Sequence, residues 1–100
     1  MKSRRVIFTP EARQDLFGIY EWIATKAGLQ VAISYIGRLE SYCLGFQDTS
    51  ERGHRRDDVF LGLRIVGFEK RVTIAFNVDD NNVSILRLFY GGQNWEDKFD

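Results

Sequence analysis

Residues 71–90, RVTIAFNVDDNNVSILRLFY, carry the strongest structural signal in this chain. Apolar and polar side chains alternate through the first eight of them, a period typical of a strand with one buried face. Asp79-Asp80-Asn81-Asn82 then predicts a tight turn, because Asp and Asn tolerate positive φ. A second strand is predicted from Val83 to about Tyr90. The buried face of this antiparallel hairpin is expected to carry Val72, Ile74, Phe76 and Val78.

A further strand is predicted just before the hairpin. Residues 60–66 alternate with a period of two, and residues 67–70, GFEK, supply the turn into the next strand. Residues 48–58 are polar and charged and are predicted to form a loop. Because tight turns join consecutive strands, the C-terminal half is predicted to be a three-stranded antiparallel meander.

The N-terminal half shows one short strand and then a helical pattern. Residues 4–8 are predicted to form the opening strand. Thr9-Pro10-Glu11 begins a helix, since Thr caps, Pro suits the first position and Glu is favoured by the helix dipole. Apolar residues recur at steps of three and four as far as Gly28, which ends the helix. A second helix, from Leu29 to about Phe46, completes an antiparallel helical hairpin.

This order of elements predicts an α+β fold with the helices packed on one face of the sheet. One hundred residues is the length of one domain, so residues 1–100 are expected to form a single domain. The tail, residues 94–100, is polar apart from Trp95 and Phe99, and we expect it to be partly mobile.

Composition argues against several classes of protein. The 14 basic and 14 acidic residues cancel, so direct nucleic-acid binding is not favoured. Cys43 is the single cysteine and has the helical spacing of an inert buried thiol, while His54 is the single histidine, so we expect neither a metal site nor a cofactor. No apolar run approaches the roughly 20 residues that span a bilayer. We therefore expect a cytoplasmic protein.

A local excess of positive charge lies between residues 52 and 71, where six basic residues accompany three acidic ones. Arg64 and Arg71 flank the same predicted hairpin, and such a patch can contact phosphates or an acidic protein. Alternatively, Asp57 and Asp58 pair with arginines of their own loop. Both interpretations remain open. The candidate target-binding residues are Arg55, Arg56, Arg64 and Arg87.

Three parts of the chain together resemble the ParE toxins of the RelE/ParE superfamily. They are GHRRDDVFLGLR at residues 53–64, the hairpin at residues 71–91, and FTPEA at residues 8–12 followed by the first helix. The resemblance extends from about Arg4 to Trp95. It implies the fold of a bacterial toxin that is neutralised by a ParD-like antitoxin and that targets DNA gyrase.

The related RelE branch cleaves messenger RNA on the ribosome, and its chemistry needs a base, an acid and cations. Arg64, Arg71 and Tyr90 are the candidates here, but residues 91–94, GGQN, add no basic group. The set is incomplete, which favours an inhibitor that binds over a nuclease. Many ParE relatives carry His and Arg where this chain has Tyr90 and Gln93, so the function of those residues is not carried over.

The two predicted helices carry more aromatic residues than their apolar stripes facing the sheet can accommodate. Phe17, Trp22 and Tyr35 fall off or beside the stripes, so they either pack between the helices or form an interaction surface. The family resemblance favours the surface, because ParD-type antitoxins lay an amphipathic segment along the toxin. Three hypotheses therefore stand: a gyrase-binding toxin, a ribosome-dependent endoribonuclease, and a binding module of this fold without toxicity.

Overall fold

The computed structural model describes residues 3–49, 51–91 and 95–99. Within these ranges the chain forms two α-helices, five strands and two 3-10 turns. The strands lie side by side in the order β1-β5-β4-β3-β2, and only β1 and β5 run parallel. In chain order the elements are β1 (Arg5–Phe8), α1 (Pro10–Ala27), α2 (Leu29–Leu44), a turn (Gly45–Gln47), β2 (His54–Arg55), β3 (Arg64–Phe68), β4 (Val72–Val78), β5 (Asn82–Tyr90) and a turn (Trp95–Phe99).

The helical hairpin forms where the sequence predicts it. The Thr9 hydroxyl accepts a hydrogen bond from the Ala12 amide at 3.1 Å, and Pro10 occupies the first helical position. Gly28, with φ +99°, ends α1 and leads directly into α2. The two helices therefore run antiparallel across one face of the sheet.

Strand β4 is central, as predicted, and its buried face contacts the helices. Val72, Ile74 and Phe76 are buried, and Val78 is partly buried against the same core. The Phe76 ring lies 4.8 Å from that of Phe46, centroid to centroid. The fold class predicted from sequence is confirmed.

The opposite face of the sheet has a smaller core of its own. Leu63, Ala75 and Phe89 are buried there, and Trp95 and Phe99 of the C-terminal turn pack against them. The tail therefore covers this face with its two aromatic side chains. Residues 92–94 and 100, part of the predicted strand end and tail, lie outside the described residues.

Two predicted boundaries are wrong. Residues 57–62 form turns rather than the start of β3, because Gly62 has φ +87° and the Asp57 carboxylate accepts its amide hydrogen at 2.7 Å. The predicted loop also contains β2, which pairs with β3. Gly53 permits this approach, since a Cβ there would lie 2.3 Å from the Ile65 carbonyl oxygen.

A bulge in β5 shapes the edge of the sheet beside α1. Phe76 pairs with Ile85 and Ala75 pairs with Arg87, so Leu86 is an extra residue. The pairing of β5 with β1 ends at Ile85. Beyond it α1 lies beside β5, and the Thr9 hydroxyl donates to the Leu86 carbonyl at 2.9 Å. Neither helix in the described part of the chain has the length and apolar character of a membrane-spanning segment.

Candidate functional site

An ion pair joins α1 to β5 just after the bulge. Arg87 donates from Nε and Nη2 to the Asp15 carboxylate at 2.7 and 3.0 Å, and the Leu88 amide donates to the same carboxylate at 3.0 Å. The hydrogen bond to Asp15 raises the pKa of the Arg87 guanidinium. Arg87, a candidate target-binding residue, is therefore already engaged in holding a helix against the sheet.

A cleft of about 430 Å³ lies next to this ion pair, between α1 and the end of β5. Trp22 forms one wall, with half of its surface exposed and its ring centroid 4.8 Å from that of Tyr90. We call it the edge cleft. Its lining residues are Gln14, Asp15, Gly18, Ile19, Trp22, Leu88, Tyr90 and Gly91.

A second cleft, of about 490 Å³, lies between the helical hairpin and the β3–β4 turn. We call it the hairpin cleft. Trp22 and Tyr90 line both clefts, so this aromatic pair lies at the boundary between the edge cleft and the hairpin cleft. The lining residues of the hairpin cleft are Trp22, Ile23, Lys26, Ala27, Val31, Tyr35, Arg38, Glu69, Arg71 and Tyr90.

Tyr35 does not offer an exposed ring, so that part of the sequence prediction is wrong. It is only 6% exposed and makes edge-to-face contacts with Phe68 and Tyr90. The reason is helical spacing: Tyr35 lies three residues after Ala32 and four before Leu39, on the buried stripe of α2. Burial raises the pKa of its hydroxyl to about 12, and the Glu69 carboxylate acts in the same direction.

Phe17 is exposed but does not extend the surface around Trp22. Its ring is 60% exposed and packs against Tyr20 at 6.3 Å. Five residues of α-helix separate Phe17 and Trp22 by about 140° around the axis. Of the three aromatic residues expected to contact an antitoxin, Trp22 alone is both exposed and placed at the clefts.

The three candidate catalytic residues do not converge. Arg71 Nη1 donates to the Tyr90 hydroxyl at 3.4 Å, so these two lie together. Arg64 lies at the far end of the β3–β4 hairpin and donates to the Arg52 carbonyl at 3.2 Å. Arg64 and Phe68, the two ends of β3, are four residues apart, which corresponds to roughly 13 Å of strand. The structure therefore places one of the strand cations beside Tyr90.

Two arginines of the loop pair with aspartates of the same loop, as the second interpretation of the charge excess predicted. Arg55 and Asp57 approach to 3.1 Å and Arg56 and Asp58 to 2.8 Å. Arg56 also pairs with Glu96 and stacks over Trp95. The candidate target-binding arginines consequently do not form one unpaired patch.

The single cysteine of the chain is buried and its single histidine is exposed. Cys43 is fully buried, and burial raises the pKa of its thiol to about 12. His54 is exposed on β2. Across residues 3–49, 51–91 and 95–99, no group of three His, Cys, Asp or Glu side chains is placed to hold a metal ion.

Asp15 is the site residue that sequence reasoning missed, although a signal for it exists. It lies three residues after Ala12 and four before Ile19, so an acidic side chain occupies the buried stripe of α1. An acid on such a stripe calls for a cationic or backbone partner. Arg87 and the Leu88 amide are those partners.

Comparison with solved structures shows that two structures from toxin–antitoxin systems share the α+β fold of this chain. The chromosomal ParDE toxin–antitoxin system from P. aeruginosa superposes with a TM-score of 0.77 at 21% identity, covering 89% of this chain and 97% of that one. The toxin–antitoxin complex RelBE2 from Mycobacterium tuberculosis superposes with a TM-score of 0.63 at 19% identity, covering 93% and 97%.

The sequence itself supplies the family. The profile described as "ParE toxin of type II toxin-antitoxin system, parDE" matches residues 6–95. The chain belongs to this ParE toxin family. No curated protein matches it by sequence.

Proposed function

We propose that this chain is the toxin of a toxin–antitoxin pair, that a ParD-like antitoxin neutralises it by covering Trp22, and that it acts in the cytoplasm by binding DNA gyrase. Membership of the ParE family supports the toxin role. The similar structures, a ParDE system and a RelBE2 complex, support an antitoxin partner.

The position of Trp22 carries the proposal. Its indole is half exposed at the boundary between two adjoining clefts, and Tyr90 supports it from beneath. Exposed tryptophans beside clefts are the usual anchors of protein interfaces, because they bury a large area with little loss of conformational entropy. An amphipathic antitoxin segment that packs along α1 would cover this ring.

The antitoxin surface is tested by comparing two substitutions on the same helix. Trp22→Ala should weaken antitoxin binding by about 2 kcal/mol or more, roughly thirtyfold in Kd, while the circular dichroism spectrum is retained. Phe17→Ala is the matched control, because Phe17 is also an exposed aromatic residue of α1 but lies on another flank. Equal losses from both substitutions would place the antitoxin elsewhere on the helical hairpin.

Gyrase inhibition by binding is favoured over nuclease action because Arg64 lies away from Arg71 and Tyr90. Expression without antitoxin should therefore cause DNA-damage signalling and filamentation while messenger RNA remains intact. Purified gyrase should lose supercoiling activity when the chain is added. Activity unaltered by a stoichiometric excess would contradict the gyrase target.

The contact between Arg71 and Tyr90 is the one observation that favours a ribosome-dependent endoribonuclease. A nuclease would cut transcripts at translated codons within minutes of induction, before any DNA-damage response. A binding module without toxicity would leave growth unchanged. Transcript mapping and growth curves on one induced culture separate the three hypotheses.

A further inference from the structure

The hairpin cleft has two positive charges in excess. Arg38 donates to both carboxylate oxygens of Glu69, at 2.9 and 3.1 Å, so that acid is already paired. Lys26 and Arg71 line the same cleft, and within the described ranges neither forms an ion pair with a carboxylate. Three cations and one acid line the cleft, so it keeps a net positive charge even though Arg71 also interacts electrostatically with Glu69.

The floor of this cleft contains an orphaned hydrogen-bond donor. Only 6% of the Tyr35 surface is exposed, and within the described part of the chain its hydroxyl has no hydrogen-bond partner. A buried polar group without a partner is destabilising, and in a native protein it calls for an explanation, of which a bound ligand is one. An acceptor that enters the cleft would satisfy it.

The hairpin cleft also has exposed apolar lining. Trp22 and Val31 both line it, and each is half exposed. Cations and a donor beside exposed apolar side chains match an acidic side chain that has apolar neighbours, as on one face of an amphipathic segment. Charge complementarity thus selects a carboxylate over a basic or neutral polar group.

We propose that the hairpin cleft receives the carboxylate of an aspartate or glutamate from the antitoxin segment that covers Trp22. Arg71 is its ionic partner, and the Tyr35 hydroxyl donates a hydrogen bond to it. This assignment rests on the proposed antitoxin surface and adds the chemistry that the antitoxin must carry there.

The ionic part is tested with two neighbouring substitutions that remove the same charge. Arg71→Gln should weaken binding of the co-expressed antitoxin about tenfold and reduce its dependence on salt. Lys70→Gln is the control, because Lys70 is exposed in the same turn but does not line the cleft. If both changes affect binding equally, or if neither does, the proposed contact between an antitoxin carboxylate and Arg71 is wrong.

The hydroxyl is tested by Tyr35→Phe, which retains the ring contacts with Phe68 and Tyr90. Affinity should fall about fivefold while the melting temperature stays the same or rises, since the free protein loses an unsatisfied group. A lower melting temperature with unchanged affinity would show a purely structural hydroxyl and overturn its assignment.

The two proposals fail in different ways. If Trp22→Ala weakens binding but Arg71→Gln behaves like Lys70→Gln, the antitoxin covers Trp22 without a carboxylate in the cleft. If Trp22→Ala has no effect, the antitoxin surface itself is wrong. Direct support comes from the antitoxin: each of its acidic residues is changed to the amide, and one should lose its effect in the Arg71→Gln background.

Discussion

Asp15 and Arg87 form a two-pronged ion pair that fixes α1 against β5 immediately beyond the bulge. The exposed fraction of the side chain is 28% for Arg87 and 16% for Asp15, so the pair is largely shielded from solvent. The same carboxylate accepts a hydrogen bond from the Leu88 amide at 3.0 Å, on the edge of β5 where the pairing with β1 has ended at Ile85. The acid thus replaces a strand neighbour and positions the wall of the edge cleft.

Asp15→Asn should destabilise the fold by about 2 kcal/mol, because a neutral amide loses the charge-assisted bonds to Arg87. Urea denaturation followed by circular dichroism measures the change. Glu21→Gln provides the control, since Glu21 is an exposed acid in the interior of the same helix. Equal stability of the Asp15→Asn chain and the parent chain would show that the ion pair contributes nothing to the fold.

Phe76→Ala should cost roughly 3–5 kcal/mol, because Phe76 is fully buried on the central strand and packs on Phe46. A domain of this size has about 5–15 kcal/mol in all, so the variant should be largely unfolded near its working temperature. Thermal melting measures this, and Phe17→Ala, with its exposed ring, should melt like the parent.

Alkaline pH should weaken the fold through Tyr35 and Cys43, whose pKa values are each raised to about 12. Above the ordinary values of about 10 and 9 the unfolded chain releases these protons while the folded chain keeps them, so stability falls as pH rises toward 12. Tyr35→Phe should make this loss shallower between pH 10 and 12. A slope identical to that of the parent would contradict the buried-hydroxyl assignment.

Tyr90→Phe separates binding from catalysis. The change keeps the ring that supports Trp22 and removes the hydroxyl that accepts a hydrogen bond from Arg71. A gyrase-binding toxin should remain toxic, as growth of cells that express the stable variant without antitoxin will show. Loss of toxicity in a folded protein would favour the nuclease, because a proton donor would then be essential.

Local patterns predicted most of the fold. The alternation through β4 and the Thr9-Pro10 helix start each depend on neighbouring residues, and both are confirmed. The start of β3 was wrong because alternation continues through residues 60–63 although Gly62 turns the backbone. Periodicity carries no information on backbone conformation at a single glycine.

The candidate site was less accessible to sequence reasoning because it depends on contacts between distant elements. Trp22 was correctly placed outside the buried stripe, but its contact with Tyr90 joins a helix to a strand 68 positions later. Tyr35 was misplaced because its spacing from Ala32 and Leu39 puts it on the buried stripe of α2 and not on the flank. Arg87 was read as a surface cation because its partner, Asp15, is 72 residues away.

The central claim is that an antitoxin covers Trp22, and the emission of that indole tests it most directly. Trp95→Phe leaves Trp22 as the only tryptophan, and the half-exposed ring should emit as a partly solvated indole. Adding the ParD-like antitoxin, itself freed of tryptophan, should shift the maximum to the blue as water leaves the ring. A complex that forms with no change in the Trp22 emission maximum would contradict the account.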